Sequence, residues 1–243
     1  MSKNNYFFIH GFLGGEDSFS EIISELKGES ETNEVFTPSL LSTNSVESLT
    51  PNYGFNDWAK NFNSYVKKNS NGNNILIGYS MGGRLGIHAF LDEPELWDSC
   101  YFASSNPGLI KGSEKMPRMA WEDGWCYQID NKPWGEFISL WNQQEIFKHS
   151  QDINPSEGNF DKSLLKLALK NWSLTKHKVD LNKIINKKLH WLVGEKDTKY
   201  QHIFSNLKIK YDCKQVSTVQ GAGHRFNLQT KDLNYSSPGM GLI

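Results

Sequence analysis

Gly78-Tyr79-Ser80-Met81-Gly82 sets a serine between two glycines in a G-x-S-x-G pattern. The apolar run Ile75-Leu76-Ile77 precedes it, and a helix-like stretch from Arg84 to Leu91 follows. A serine on such a strand-to-helix turn is lifted clear of the sheet, and the helix aims its first N–H groups at the serine oxygen. Ser80 is therefore a candidate nucleophile, and the Met81 N–H a candidate donor to a developing oxyanion. The plainer reading is a glycine-rich turn with no chemistry, and the flanking strand and helix speak against it. His10-Gly11-Phe12-Leu13-Gly14-Gly15 follows the first apolar run and makes the Phe12 N–H the second candidate donor. His10 reads as an orienting residue in that turn rather than a proton carrier.

A serine of this kind needs a base and an acid to orient it, in the chain order Ser, acid, His. Asp197, in Gly194-Glu195-Lys196-Asp197, follows the run 189–193 and suits the acid, with Glu195 as its competitor. His224, in Gly221-Ala222-Gly223-His224, follows the run 216–219 and suits the base. The remaining histidines fit less well. His88 falls on the helix after Ser80, His190 lies inside a strand, and His149, His177 and His202 have polar neighbours in sequence. Each of these five is expected to be structural or exposed.

Positioning such residues requires strands alternating with helices. Strands are predicted at 6–9, 35–37, 75–77, 100–103, 189–193 and 216–219. Phe19, Ile22, Ile23 and Leu26 share one helical face, with Ser18 and Glu21 as a capping box, and Phe55, Trp58, Phe62 and Val66 trace a second. Alternation of this sort predicts an α/β fold with a mostly parallel sheet flanked by helices. Between 106 and 180 the strand signal stops, and five of the eight tryptophans gather there. This segment is predicted to be a helical insertion capping the sheet's C-terminal edge, with 1–105 and 181–243 forming the core. Only nineteen residues follow His224, and Pro238, Gly239 and Gly241 among them predict a short or absent closing helix.

Composition narrows the classes. A net charge of -1 provides no global basic field for nucleic acid. No run approaches about 18 apolar residues, so membrane insertion is not expected. The N-terminal stretch is too short in apolar residues for a secretory signal, which predicts a cytoplasmic protein. Cys100, Cys126 and Cys213 form no CxxC pair and read as three reduced thiols; neither a disulfide framework nor a metal site is predicted. The sequence leaves the oligomeric state open. Fifteen basic residues against five acids in 162–243 could steer an anion, although scattered lysines are more simply a solvated surface.

Of 26 basic residues only Arg84, Arg118 and Arg225 are arginine. Lysine serves for generic charge, whereas the planar guanidinium grips a carboxylate through two parallel bonds. The arginines therefore hint at a small anionic substrate, against the alternative of ordinary ion pairs.

Taken together, I-H-G-F-L-G-G, G-Y-S-M-G-G-R, N-P-G-L at 106–109, W-N-Q-Q-E-I-F at 141–147 and G-A-G-H resemble the α/β-hydrolase-fold 2-succinyl-6-hydroxy-2,4-cyclohexadiene-1-carboxylate (SHCHC) synthase family of menaquinone and phylloquinone biosynthesis. The likeness runs from about Phe7 to His224. It implies a triad of Ser80, Asp197 and His224, substrate carboxylates held by Arg84 and Arg118, and a pocket lined by Tyr79 and Trp141. It also implies a lyase that removes a proton and eliminates pyruvate from a multi-carboxylate precursor, with no metal or organic cofactor. The competing reading is a serine esterase, thioesterase or carbon–carbon bond hydrolase of the same fold; a simple esterase would not need paired arginines. A scaffold without activity is the third, and the complete set of three residues argues against it.

Overall fold

The computed structural model describes residues 3–108, 112–226, 228, 232 and 233. Leu109, Pro238, Gly239 and Gly241, with the expectation attached to the closing helix, lie outside the described residues.

Six strands, β1 (Asn4–Ile9), β2 (Glu34–Phe36), β3 (Asn73–Tyr79), β4 (Ser99–Ala103), β5 (Leu189–Gly194) and β6 (Val216–Val219), form one sheet in the order β2-β1-β3-β4-β5-β6. Every pairing is parallel. Side chains alternate along each strand, so apolar runs such as Tyr6-Phe7-Phe8-Ile9 must be covered on both faces. Tyr6, Phe8, Ile75, Ile77, Tyr101 and Leu192 enter one buried cluster, and Phe7, Ile9, Leu76, Phe102, Trp191 and Val193 enter the other.

Helix α1 (Ser20–Glu29) buries Ile22 and Leu26 in the first cluster. On the opposite face, α2 (Phe55–Asn69) lays Trp58 and Phe62 against the sheet, with Phe62 meeting Phe7 edge-on at 6.2 Å between centroids. Helix α3 (Met81–Asp92) follows β3 directly and is buried from Met81 to Phe90. The capping box expected of Ser18 and Glu21 does not form. Ser18 sits inside a short 3₁₀ turn, Glu16–Phe19, and its hydroxyl accepts from the Gly15 N–H at 2.9 Å instead. The extra turn moves the start of α1 to Ser20, beyond the reach of Ser18.

The chain between β4 and β5 holds α4 (Lys115–Asn131), α5 (Trp134–Asn142) and α6 (Lys162–Asn171), and no strand among its described residues. Its tryptophans pack on one another: Trp125 lies 4.7 Å from Trp141, and Trp141 lies 4.7 Å from Phe12 in the loop after β1. That contact brings the segment over the C-terminal end of β1. Helix α7 (Thr198–Tyr211) joins β5 to β6. No helix among the described residues is long and apolar enough to cross a membrane. Cys100 and Cys213 are buried and Cys126 half-buried, and all three are free.

The start of α3 is pressed against β1. A Cβ on Gly82 would collide with the carbonyls of Ile9 and His10, which belong to main chain and cannot swing aside. Gly82→Ala should therefore cost at least about 2 kcal/mol in urea unfolding. Gly124→Ala, on α4 with open space around it, should be neutral or raise stability by up to about 1 kcal/mol. Equal midpoints for the two variants would show that α3 is free to move off β1.

Candidate active site

Ser80 stands between β3 and α3 with φ 50° and ψ −106°, a conformation that L residues adopt only under constraint. Its N–H donates to the Ala103 carbonyl at 2.8 Å, and its own carbonyl receives the Arg84 N–H at 3.3 Å. These bonds fasten the turn to β4 on one side and to α3 on the other. The hydroxyl lies 3.3 Å from Nε2 of His224, and Nδ1 of His224 lies 2.6 Å from Oδ2 of Asp197. Asp197 caps α7, its other oxygen accepting the Tyr200 N–H at 3.2 Å. His224 and Asp197 are 2% and 4% exposed, so the pair is shielded from water. The carboxylate fixes His224 with Nδ1 protonated and Nε2 facing Ser80, ready to take its proton.

Glu195, the competitor for the acid, points elsewhere: its carboxylate accepts the Gly221 N–H at 2.8 Å and braces the turn that leads to His224. The His224 carbonyl is held twice, by the Ser104 hydroxyl at 2.8 Å and by the Tyr79 hydroxyl at 3.3 Å. Tyr79 thus reaches the His224 main chain and is not among the residues lining the cavity described below. Burial raises its phenol well above the ordinary range, so it stays a donor. Ser104 carried no sequence signal. It is buried, has φ 48°, and lies 120 residues from the carbonyl it holds.

A cavity of about 1230 Å³ opens above Ser80. Phe12, Met81, Arg84, Arg118, Trp141 and His224 all line it. Met81 is the first residue of α3, so its N–H has no partner within the helix. Arg84 is buried; one Nη donates to the Trp172 carbonyl at 2.9 Å, and its Nε has no protein partner. Burial, reinforced by Arg118, lowers its pKa to about 10. Arg118 approaches from α4, with Nε 2.6 Å from the buried Glu122 and its guanidinium 4.1 Å above the Trp121 ring. Both arginines therefore line one space, and an anion there would offset the like charge that each puts on the other. Arg225 is used differently. It stacks at 3.6 Å on Phe147 and binds the Asn142 side chain and the Gln151 carbonyl, tying the His224 loop to the segment between β4 and β5.

The other histidines stay outside this hydrogen-bonded chain. His10 donates from Nδ1 to the Gly11 carbonyl at 2.8 Å and accepts the Leu40 N–H at Nε2, 3.2 Å, which requires the neutral ring. His177 is buried, contrary to the polar surroundings read from its sequence neighbours. Its Nε2 donates to the Asn106 carbonyl at 2.9 Å, so its Nδ1 accepts from His88 at 3.0 Å, and Phe55 stacks on His88. His190 stacks on Tyr101, and His149 and His202 are exposed. No group of three or more metal-ligating side chains occurs among the described residues.

The α/β hydrolase fold family matches residues 7–136, more than half of the chain, and the chain belongs to it. A protein of Haemophilus influenzae that carries the provisional name 2-succinyl-6-hydroxy-2,4-cyclohexadiene-1-carboxylate synthase is 25% identical over 93% of this chain and 92% of its own length. The synthase of that name from Escherichia coli O1:K1 is 25% identical over 63% of this chain and 62% of its own, a match that falls short of two thirds of that protein. Among solved structures, MenH from S. aureus superposes with a TM-score of 0.74 at 17% identity, covering 92% of this chain and 87% of that one. A carboxylesterase structure from Nitrososphaera gargenis reaches 0.68 at 12% identity, covering 91% and 83%, and so shares the fold alone.

The buried histidines make stability depend on pH. Burial lowers the pKa of His10 and His88 to about 4, aided by Arg84 at His88, and lowers those of His177 and His190. In the unfolded chain each takes a proton near pH 6.5. Between these values the unfolded state binds more protons, so stability is full above about pH 6.5 and is lost as pH falls toward 4. The slope reaches about 1.4 kcal/mol per pH unit for each of His10 and His88, and His177 and His190 add to it in the same direction. Urea unfolding read from pH 7 to pH 5, above the carboxylate range, should show this decline, and a flat profile there would refute it.

Proposed function

We propose that this chain is a cytoplasmic lyase of the SHCHC synthase type in menaquinone biosynthesis, with Ser80, His224 and Asp197 as its triad and residues 106–180 as a cap over the core. The observation that carries the reading is the meeting of that hydrogen-bonded chain with two arginines that line one cavity. The names of the relatives supply the product, and the family resemblance supplies the loss of pyruvate. A product with a succinyl and a ring carboxylate, formed with loss of pyruvate, comes from a precursor with three carboxylates, and Arg84 and Arg118 suit such anions.

The steps balance without an added reagent. His224 takes the Ser80 proton as the serine oxygen removes the proton from the ring carbon that bears the succinyl carbonyl. The electron pair left by that C–H bond forms the new double-bond system and breaks the bond from ring carbon to oxygen. Pyruvate leaves as its enolate and takes up the proton that His224 carries, directly or through water, to become the keto acid, which returns Ser80 and His224 to their starting state. Main-chain N–H groups of Met81 and Phe12 stabilise the enolate charge that builds on the substrate before the leaving group departs. Asp197 holds the imidazolium while it carries the proton. Trp141 and Trp121 give the ring an aromatic wall.

Purified protein should release pyruvate from the precursor and hydrolyse p-nitrophenyl esters slowly or not at all. Ser80→Ala should lower kcat by about 10³-fold or more. Fast ester hydrolysis without pyruvate would assign the chain to the hydrolases instead. Ser104→Ala should lower kcat about tenfold with little change in KM, because it loosens His224 and not the substrate. A change in KM alone would deny Ser104 that positioning role. Arg84→Lys and Arg118→Lys should each lose part of about 2–3 kcal/mol in kcat/KM, since lysine keeps charge without the fork. Arg225→Lys should be milder, and equal harmlessness at all three positions would remove the argument for an anionic substrate.

A further inference from the structure

The cavity is larger than the chemistry at Ser80 requires. Its 1230 Å³ exceeds the upper end of ordinary ligand pockets, about 1000 Å³, and it continues outward along α7. Lys199, His202, Asn206 and Lys210 line that extension. They stand at i, i+3, i+7 and i+11, one stripe of the helix roughly 16 Å long at 1.5 Å per residue. Helix α7 carries three lysines and a histidine and no acidic residue. Glu114, Pro117 and Arg118 form the facing wall.

Charge in the cavity is one-sided. Arg84, Arg118, Lys199 and Lys210 line it as cations, and Glu114 and Glu145 as acids. Adding the nearest partners, Glu122 on Arg118, Lys148 on Glu145 and Asp197 on the neutral His224, leaves an excess of one cation. The chain as a whole is at -1, so this excess is local. Lys199 stands at the inner end of the stripe. Burial and then Arg118 lower its pKa, whereas Asp197 and Glu114 raise it, so its ammonium lies within electrostatic reach of Arg118 and of the Asp197–His224 pair. At the outer end, the Lys210 ammonium lies 5.4 Å from the Tyr211 ring.

We propose that the stripe of α7 from Lys210 inward to Lys199 is the entrance track for the anionic substrate, with Lys199 passing a carboxylate to Arg118. The proposal rests on the anionic-substrate reading given above. A groove walled by low-dielectric protein concentrates the field of its charges, which accelerates encounter more than it strengthens final binding. Lysine suits such a track because its ammonium is a mobile point charge that attracts a carboxylate without holding it in a fixed fork. At 0.15 M salt the screening length is about 8 Å, so the lysines act within the groove and not from remote surfaces.

The test compares Lys199→Gln/Lys210→Gln with Lys27→Gln/Lys68→Gln, which removes the same charge from α1 and α2. Two readouts are used: pyruvate release from the precursor, and stopped-flow tryptophan fluorescence on mixing with 2-succinylbenzoate, the dehydrated aromatic form of the SHCHC product. At about 0.01 M salt, where screening reaches roughly 30 Å, the α7 variant should lose roughly tenfold in kcat/KM and in association rate. Its kcat should stay within twofold, and its deficit should shrink as salt rises toward 1 M. The α1/α2 variant should match the parent protein. Equal behaviour of the two variants, or a loss in kcat that salt does not alter, would overturn the track. Lysine-dependent association of 2-succinylbenzoate by a protein that releases no pyruvate would support the track and refute the lyase reading.

Discussion

The backbone of Ser80 is the constraint on which the rest of the site depends. A residue at φ 50° and ψ −106° costs on the order of 1–3 kcal/mol, and the strain persists because neighbouring elements leave no alternative. Ala103 takes its N–H, Arg84 returns a bond to its carbonyl, and Gly82 lets α3 close on the end of β1. What the strain achieves is direction. It sets the serine hydroxyl at the C-terminal edge of the sheet and starts a helix one residue later, so that oxygen and N–H donors face the same space.

The partner of that serine is held by different means. His224 lies on a loop after β6, and loops do not fix a side chain to a few tenths of an ångström by themselves. Here the precision comes from four attachments on separate elements: Asp197 on the ring, Ser104 and Tyr79 on the carbonyl, and Glu195 on the turn behind. All four groups sit at the C-terminal ends of β3, β4 and β5 or in the turns that follow. The parallel sheet therefore delivers both halves of the site from one edge, and strand register sets their separation.

Much of this is legible in the sequence because continuous apolar runs can only be strands buried on both faces, and because glycines around a serine at a strand end have a narrow use. The order of serine, acid and histidine along the chain then singles out Asp197 and His224, which the fold brings together with Ser80. What escapes such reading depends on contacts between distant elements. Ser104 acts through a left-handed backbone and a carbonyl 120 residues away. His177 has polar neighbours in sequence but pairs in space with His88 and Asn106, so neighbours are the wrong guide to its burial. Ser18 fails as a cap because a 3₁₀ turn consumes it before α1 begins. Tyr79 is expected at the pocket wall, and only its side-chain direction shows that it grips the His224 carbonyl.

The scarcity of arginine takes on a fuller meaning in the fold. Arg118 lies over Trp121 and Arg225 over Phe147, while Arg84 is sunk against the carbonyl of Trp172. A guanidinium is weakly hydrated and planar, so it tolerates aromatic and half-buried surroundings that an ammonium would leave. The lysines, in contrast, populate exposed ion pairs such as Lys67 with Glu93 and Lys132 with Glu136, which contribute little to stability. All three arginines thus sit against aromatic rings or buried main chain, and Arg225 shows that such a place can be structural. What sets Arg84 and Arg118 apart is their position: both line the cavity above Ser80, and Arg225 does not. Residue type narrows the choice to three positions, and geometry divides them: Arg225 ties two loops together, and Arg84 and Arg118 line the cavity.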